Sequence, residues 1–143
     1  MKTLQCHSRG DKRFSALFAV VEFNGKQATI EQHYQLCKRF EGKPVPKQIS
    51  DSKGKTPSHI VVARKRLPAS AINGFYTYLW LKYFQAHPDL LAYARTFDEF
   101  HDMFGGKSVN RQDHTVRACA KQGLKAVLAS PSVQHFISAF RGK

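Results

Sequence analysis

At 143 residues, with 42% hydrophobic and 12% aromatic content, the chain can fill one sizeable core and leaves no room for a second domain. Its 23 Lys and Arg against 10 Asp and Glu leave a formal charge of +13, more than solubility requires, so a polyanion or a phosphorylated ligand is the expected partner. Three cysteines without CxxC spacing give neither a disulfide framework nor a zinc knuckle, and no apolar leader or membrane-length apolar run is present. A soluble, cytoplasmic protein with no membrane contact is therefore expected.

In chain order, the β-rich run Ala19–Phe23 leads into Asn24-Gly25, the dipeptide that best supplies the positive φ angles of a two-residue hairpin turn. Thr29-Ile30-Glu31-Gln32 has the capping-box pattern, and Ile30, Tyr34, Cys37 and Phe40 recur at helical spacing, which predicts a helix from near residue 30 to before Gly42. Residues 41–58 hold Pro44, Pro46, Gly54 and Pro57 among Lys43, Lys47, Lys53 and Lys55, the composition of a Lys-rich surface loop. Ser58 then caps a predicted short helix running to Arg66, which Pro68 stops. Residues 71–85 are apolar around more than one face, as a central buried helix requires, and Pro88 opens another helix. Thr96–Glu99 is read as a second capping box before Phe100, Met103 and Phe104. After Gly105-Gly106, a helix is predicted through Val116 to Leu128, with a last one following Ser130-Pro131. The expected fold is α+β, a mostly helical single domain over residues 1–143 with a short N-terminal β-hairpin or small sheet.

Several residues could carry chemistry. Glu31, Gln35 and Lys38, at i, i+4 and i+7, place a carboxylate, an amide and an ammonium on one helical stripe, although such a stripe is more often a solvated helix edge than a site. Phe14-Ser15 and Phe18 set a hydroxyl between aromatics, as a stacking platform or as anchors of the hairpin. Gly105-Gly106-Lys107-Ser108 lacks the upstream glycine and strand of a P-loop, yet Lys107, Asn110 and Arg111 could touch phosphate. The seven histidines form no HxxxH or HExxH set, so no metal is assigned. The Lys-rich loop and Arg64-Lys65-Arg66 make a cationic footprint suited to phosphate contact rather than base readout.

The series Phe14-Ser15…Phe18, then Phe23-Asn24-Gly25-Lys26, then Thr29-x-Glu31-x-x-x-Gln35-x-x-Lys38, resembles the opening of the NADAR family, the YbiA-like N-glycosidases, in order and spacing. Leu79–Leu91 looks like that family's later K-F-x-Q-x-x-x-L helix, and Gly105-Gly106-Lys107…Asn110-Arg111 is loosely similar to its glycine-rich loop. Gln32 and His33 stand where His and Tyr follow the glutamate in the family, and Phe104-Gly105 where it has Trp-Gly. The resemblance implies cleavage of an N-glycosidic bond in a phosphorylated ribosyl or ADP-ribosyl compound, including ADP-ribose on a nucleic-acid base, without metal or redox cofactor. It implies Glu31 as the catalytic carboxylate. Lys38, Lys107 and Arg111 are then expected on phosphate, Gln35 and Asn110 on ribose or base, and Phe14, Phe18 or Trp80 stacked on the base.

Two other functions fit the same charge: a non-enzymatic nucleic-acid-binding accessory protein without sequence preference, and an inhibitor that binds an acidic protein. Nothing in the residue pattern fixes the oligomeric state.

Overall fold

The computed structural model describes residues 2–102 and 112–142. The predicted hairpin is present: β1 (Thr3–Gln5) precedes it, and β2 (Val20–Phe23) pairs antiparallel with β3 (Lys26–Thr29), Val20 opposite Thr29 and Phe23 opposite Lys26. Asn24 and Gly25 make the turn at φ +52° and +86°, the left-handed angles that Asn-Gly tolerates best. Helix α1 (Ile30–Leu36) follows directly, closed at its start by a reciprocal capping box. Thr29 Oγ1 accepts from Gln32 N at 3.1 Å, and Gln32 Oε1 accepts from Thr29 N at 2.8 Å.

The helix ends earlier than its spacing suggests, at Leu36, and Lys38 therefore leaves the helical stripe for a short strand, β4 (Lys38–Arg39). Downstream, the predicted helix over 58–66 is instead an antiparallel hairpin of β5 (His59–Val62) and β6 (Lys65–Pro68), with β4 on the other edge of β5. Ala63 and Arg64 take the turn at φ +50° and +69°, angles that neither side chain favours and no residue pattern announces. The Lys-rich stretch before it is irregular save for a 3-10 turn at Ile49–Asp51.

Helix α2 (Ile72–Ala86) is the axle of the core. Phe75, Leu79, Trp80, Leu81 and Phe84 are each at most 2% exposed, so apolar contacts cover more than one face of the helix, as its sequence requires. Each fully buried large apolar side chain of this kind stabilises the fold by about 1.5–3 kcal/mol. Gly74 lets α6 (Pro131–Arg141) cross close by, since a Cβ there would fall on the Ser132 carbonyl oxygen. α3 (Pro88–Ala94) begins at the expected proline. The expected helix from 116 to 128 is divided at Gly123, φ +92°, into α4 (Gln112–Gln122) and α5 (Leu124–Leu128).

Thr96–Glu99 does not start a helix. Thr96 Oγ1 turns back to the Tyr93 carbonyl at 2.8 Å, while the Asp98 and Glu99 amides both bond to the Lys2 carbonyl. The chain then runs as β7 (Glu99–His101), parallel to β1 with Leu4 opposite Phe100. Pairing with the remote β1 satisfies the backbone that a capped helix would otherwise have satisfied. Met103 and Phe104 lie outside the described residues. The fold is α+β and mostly helical, with three small sheets among the described residues. No described helix is long and apolar enough to cross a membrane.

Candidate functional site

Two backbone bonds fix where α1 begins: Ile30 N donates to Ala19 O and Glu31 N to Ala16 O, both at 2.9 Å. The capped first turn is thereby tied to the 16–19 segment, and Glu31 is held against it. Glu31, Tyr34 and Gln35 then face a cleft of about 500 Å³, within the usual size of a small-molecule site. Lys38 closes one wall with the 53–57 segment, the first turns of α2 add Asn73 and Tyr76, and Asp102 and Gln112 also line the cleft among the described residues. Gln112 also braces the site, its Oε1 accepting from Ala16 N at 2.7 Å.

The polar groups inside are mutually fixed. Gln35, 4% exposed, donates from Nε2 to Glu31 Oε2 at 2.9 Å. Lys38, 5% exposed, donates from Nζ to the carbonyls of Lys55 at 3.1 Å and Ser52 at 3.4 Å, and its ammonium stands 5.0 Å from the centre of the Tyr34 ring. Burial pushes the Lys38 ammonium below the ordinary lysine value, an effect that Cys37 and Glu31 partly offset. The Tyr34 and Tyr76 rings meet edge to face at 5.1 Å. Burial raises the Tyr76 phenol above its ordinary value, Trp80 opposes this, and the charges of Glu31 and Asp102 add to the rise. A neutral phenol is therefore maintained near both carboxylates.

Of the residues singled out from sequence, Glu31, Gln35, Lys38, Lys53 and Lys55 come together here, although Lys38 arrives on β4 rather than on the helix. Lys53 and Lys55 are exposed at the mouth. Phe14 and Trp80 do not reach the cleft. Both are fully buried and pack on Phe84, at 6.1 Å and 5.6 Å between ring centres, so neither ring face is open to a base. Ser15 is equally buried and its Oγ accepts from Leu17 N at 3.3 Å, a turn-closing role. Phe18 stays 48% exposed beside the cleft residue Leu17, with Lys12 Nζ 5.0 Å from its ring centre. Lys107, Asn110 and Arg111 lie outside the described residues.

The remaining cations are not part of the cleft lining. Lys43 and Lys47 are exposed on the loop, and Arg64, Lys65 and Arg66 ride on the β5–β6 hairpin. Lys65 is engaged with α6, donating to Phe140 O at 2.9 Å and standing over that ring at 4.7 Å. Tyr34, Asn73, Tyr76, Asp102 and Gln112 escaped sequence reasoning, because no spacing reveals which face of an apolar α2 is left open or where a strand end will lie. Among the described residues no group of three or more His, Cys, Asp or Glu is placed to hold a metal ion. The three cysteines are free and buried. No family model matches the chain, and no curated protein matches it.

Proposed function

We propose that the chain is an N-glycosidase of NADAR type, cleaving the bond between ribose and a base nitrogen in a phosphorylated ribosyl or ADP-ribosyl compound. The observation that carries this is the Glu31 carboxylate, fixed by Gln35 inside a cleft whose wall holds a buried ammonium and whose mouth carries two lysines. As the carbon–nitrogen bond breaks, positive charge gathers on the ribose ring. A carboxylate beside it stabilises that charge and can take a proton from the attacking water, whose hydroxyl joins the anomeric carbon while the base leaves with a proton on its nitrogen. Lys53 and Lys55 suit phosphate oxygens at the mouth, and exposed Phe18 offers a ring to a base. The +13 charge favours a substrate carried on a nucleic acid over a free metabolite.

The test is to incubate the wild type and Glu31→Gln with an oligonucleotide bearing ADP-ribosylated guanine and with a phosphoribosyl pyrimidine, measuring released base and sugar. Release by the wild type and a fall of roughly 100-fold or more in the variant are expected. Cleavage of neither compound contradicts the proposal, and equal cleavage by both proteins removes Glu31 from the chemistry.

A second reading draws on the exposed Lys43, Lys47, Arg64 and Arg66, which lie off the cleft lining: a nucleic-acid-binding protein without catalysis. It requires binding that weakens steeply with salt and shows little sequence preference, and a salt-independent affinity counts against it.

A further inference from the structure

Strand β2 pairs with β3 on one edge and leaves the other free. The two-residue turn at Asn24-Gly25 closes the Phe23–Lys26 pair, so the hydrogen-bonded rungs alternate from there: Phe23 with Lys26, Val21 with Ala28, and Ala19 with Ile30, whose amide donates to Ala19 O at 2.9 Å. The rungs between, Val20 with Thr29 and Glu22 with Gln27, turn the backbone amides and carbonyls of Val20 and Glu22 outward. Those four groups have no hydrogen-bond partner among the described residues. Val20 and Glu22 line one side of a second groove, of about 550 Å³, which Lys82, Gln85 and His87 at the C-terminal end of α2 line from the other.

Free strand edges are ordinarily blunted by charge, by proline or by a covering element. Here the side chains beside the edge are apolar and open, with Val20 47% exposed and Phe18 48%. The one acidic side chain on the strand, Glu22, is turned onto the Gly25 amide. Cations dominate the surroundings: Lys82 stands on the facing wall, Lys26 opposite Phe23, and Lys12 over the Phe18 ring.

We infer that this edge is a docking site for an extended acidic peptide of a partner protein, which adds a strand to β2. A nucleic acid has no peptide backbone with which to complete the ladder, and a second copy of this chain would bring another +13 to a surface already in positive excess. Main-chain bonds to Val20 and Glu22 supply the affinity, Val20 gives apolar contact to one side chain of the added strand, and Lys82 and Lys26 attract its carboxylates. The inference is independent of the N-glycosidase reading, since this groove shares no lining residue with the cleft that holds Glu31.

The probe is a capped, soluble peptide alternating glutamate with valine, titrated into isotopically labelled protein while amide shifts and hydrogen exchange are followed. Binding is expected to slow exchange at the Val20 and Glu22 amides, because both become ladder donors. The same peptide with lysine in place of glutamate is expected to bind roughly tenfold more weakly or worse. Val20→Pro deletes one outward amide and none of the β2–β3 bonds, and is expected to weaken the acidic peptide about tenfold. Lys82→Glu is expected to act in the same direction without touching the strand, so the test stands even if the proline disturbs the hairpin. Absence of binding, equal binding of the two peptides, or shifts that map away from β2 overturn the inference. Protection of these amides that grows with protein concentration alone assigns the edge to a second copy, and their protection by an oligonucleotide of matching charge assigns it to nucleic acid; either result overturns the inference.

Discussion

Lys38 Nζ bonds to the backbone carbonyl of Lys55 at 3.1 Å, so a side chain on β4 holds one wall of the cleft in place from the far side of the Lys-rich loop. With the Ser52 carbonyl at 3.4 Å, this ammonium is the interior tie for a segment that is otherwise polar and mostly exposed. Lys38→Met keeps the aliphatic stem and removes the donor. The variant is expected to show faster amide exchange and proteolytic cutting between residues 52 and 57, with the core protected as in the wild type. Unchanged exchange in that segment would mean that the loop is held by other contacts.

The approach of α6 to α2 depends on Gly74. A methyl group there would meet the Ser132 carbonyl oxygen and come within 2.8 Å of Phe136 Cβ. Gly74→Ala, although it favours the helix intrinsically by up to about 1 kcal/mol, is expected to lower stability by about 1–3 kcal/mol through forced separation of the helices. Urea unfolding measures the difference, and a gain in stability would show that the two helices part without cost.

The β5–β6 turn is the converse case. Ala63 and Arg64 sit at positive φ with no glycine or asparagine to relieve them. Replacing them together by Asn and Gly is expected to stabilise the protein by about 1–2 kcal/mol, seen as a higher urea midpoint with the same slope. A lower midpoint would contradict the left-handed geometry at these positions.

His33 gives the fold a pH dependence. Burial holds its imidazole below the ordinary value of 6.5, with Lys26 adding to the drop and the bond to the Val21 carbonyl and the charge of Glu22 opposing it. As pH falls past about 6.5, the unfolded chain takes up the proton before the folded one does, so stability declines downward from there through the lower folded value. His33→Gln is expected to flatten the loss of stability between neutral pH and the acid side relative to the wild type. Parallel curves for the two proteins would assign that loss to other groups.

These elements also mark what could be read before the fold was known. Asn24-Gly25 announces its turn because both residues tolerate left-handed angles, whereas Ala63-Arg64 adopts the same angles under pressure from strand pairing and so passes for the middle of a helix. Thr96–Glu99 has the letters of a capping box, but its amides pair with Lys2, whose partner Asp98 lies 96 residues away in sequence. At the site, Glu31 and Gln35 were legible because helical spacing alone brings them together. Lys38 reaches the cleft from β4 rather than from the helix, and Phe14 and Trp80 are drawn into the core by the same aromatic character that suits a base-stacking surface. Tyr76 and Asp102 depend on how α1 docks against α2 and on where β7 ends, which is tertiary information.

The account turns on the sugar lying beside Glu31, and the most direct measurement is a crystal structure of Glu31→Gln with bound ADP-ribose. The anomeric carbon of the terminal ribose is predicted beside the residue 31 side chain, with the phosphates toward Lys53 and Lys55. A ligand bound on another face, or a cleft that stays empty at saturating ADP-ribose, would contradict it.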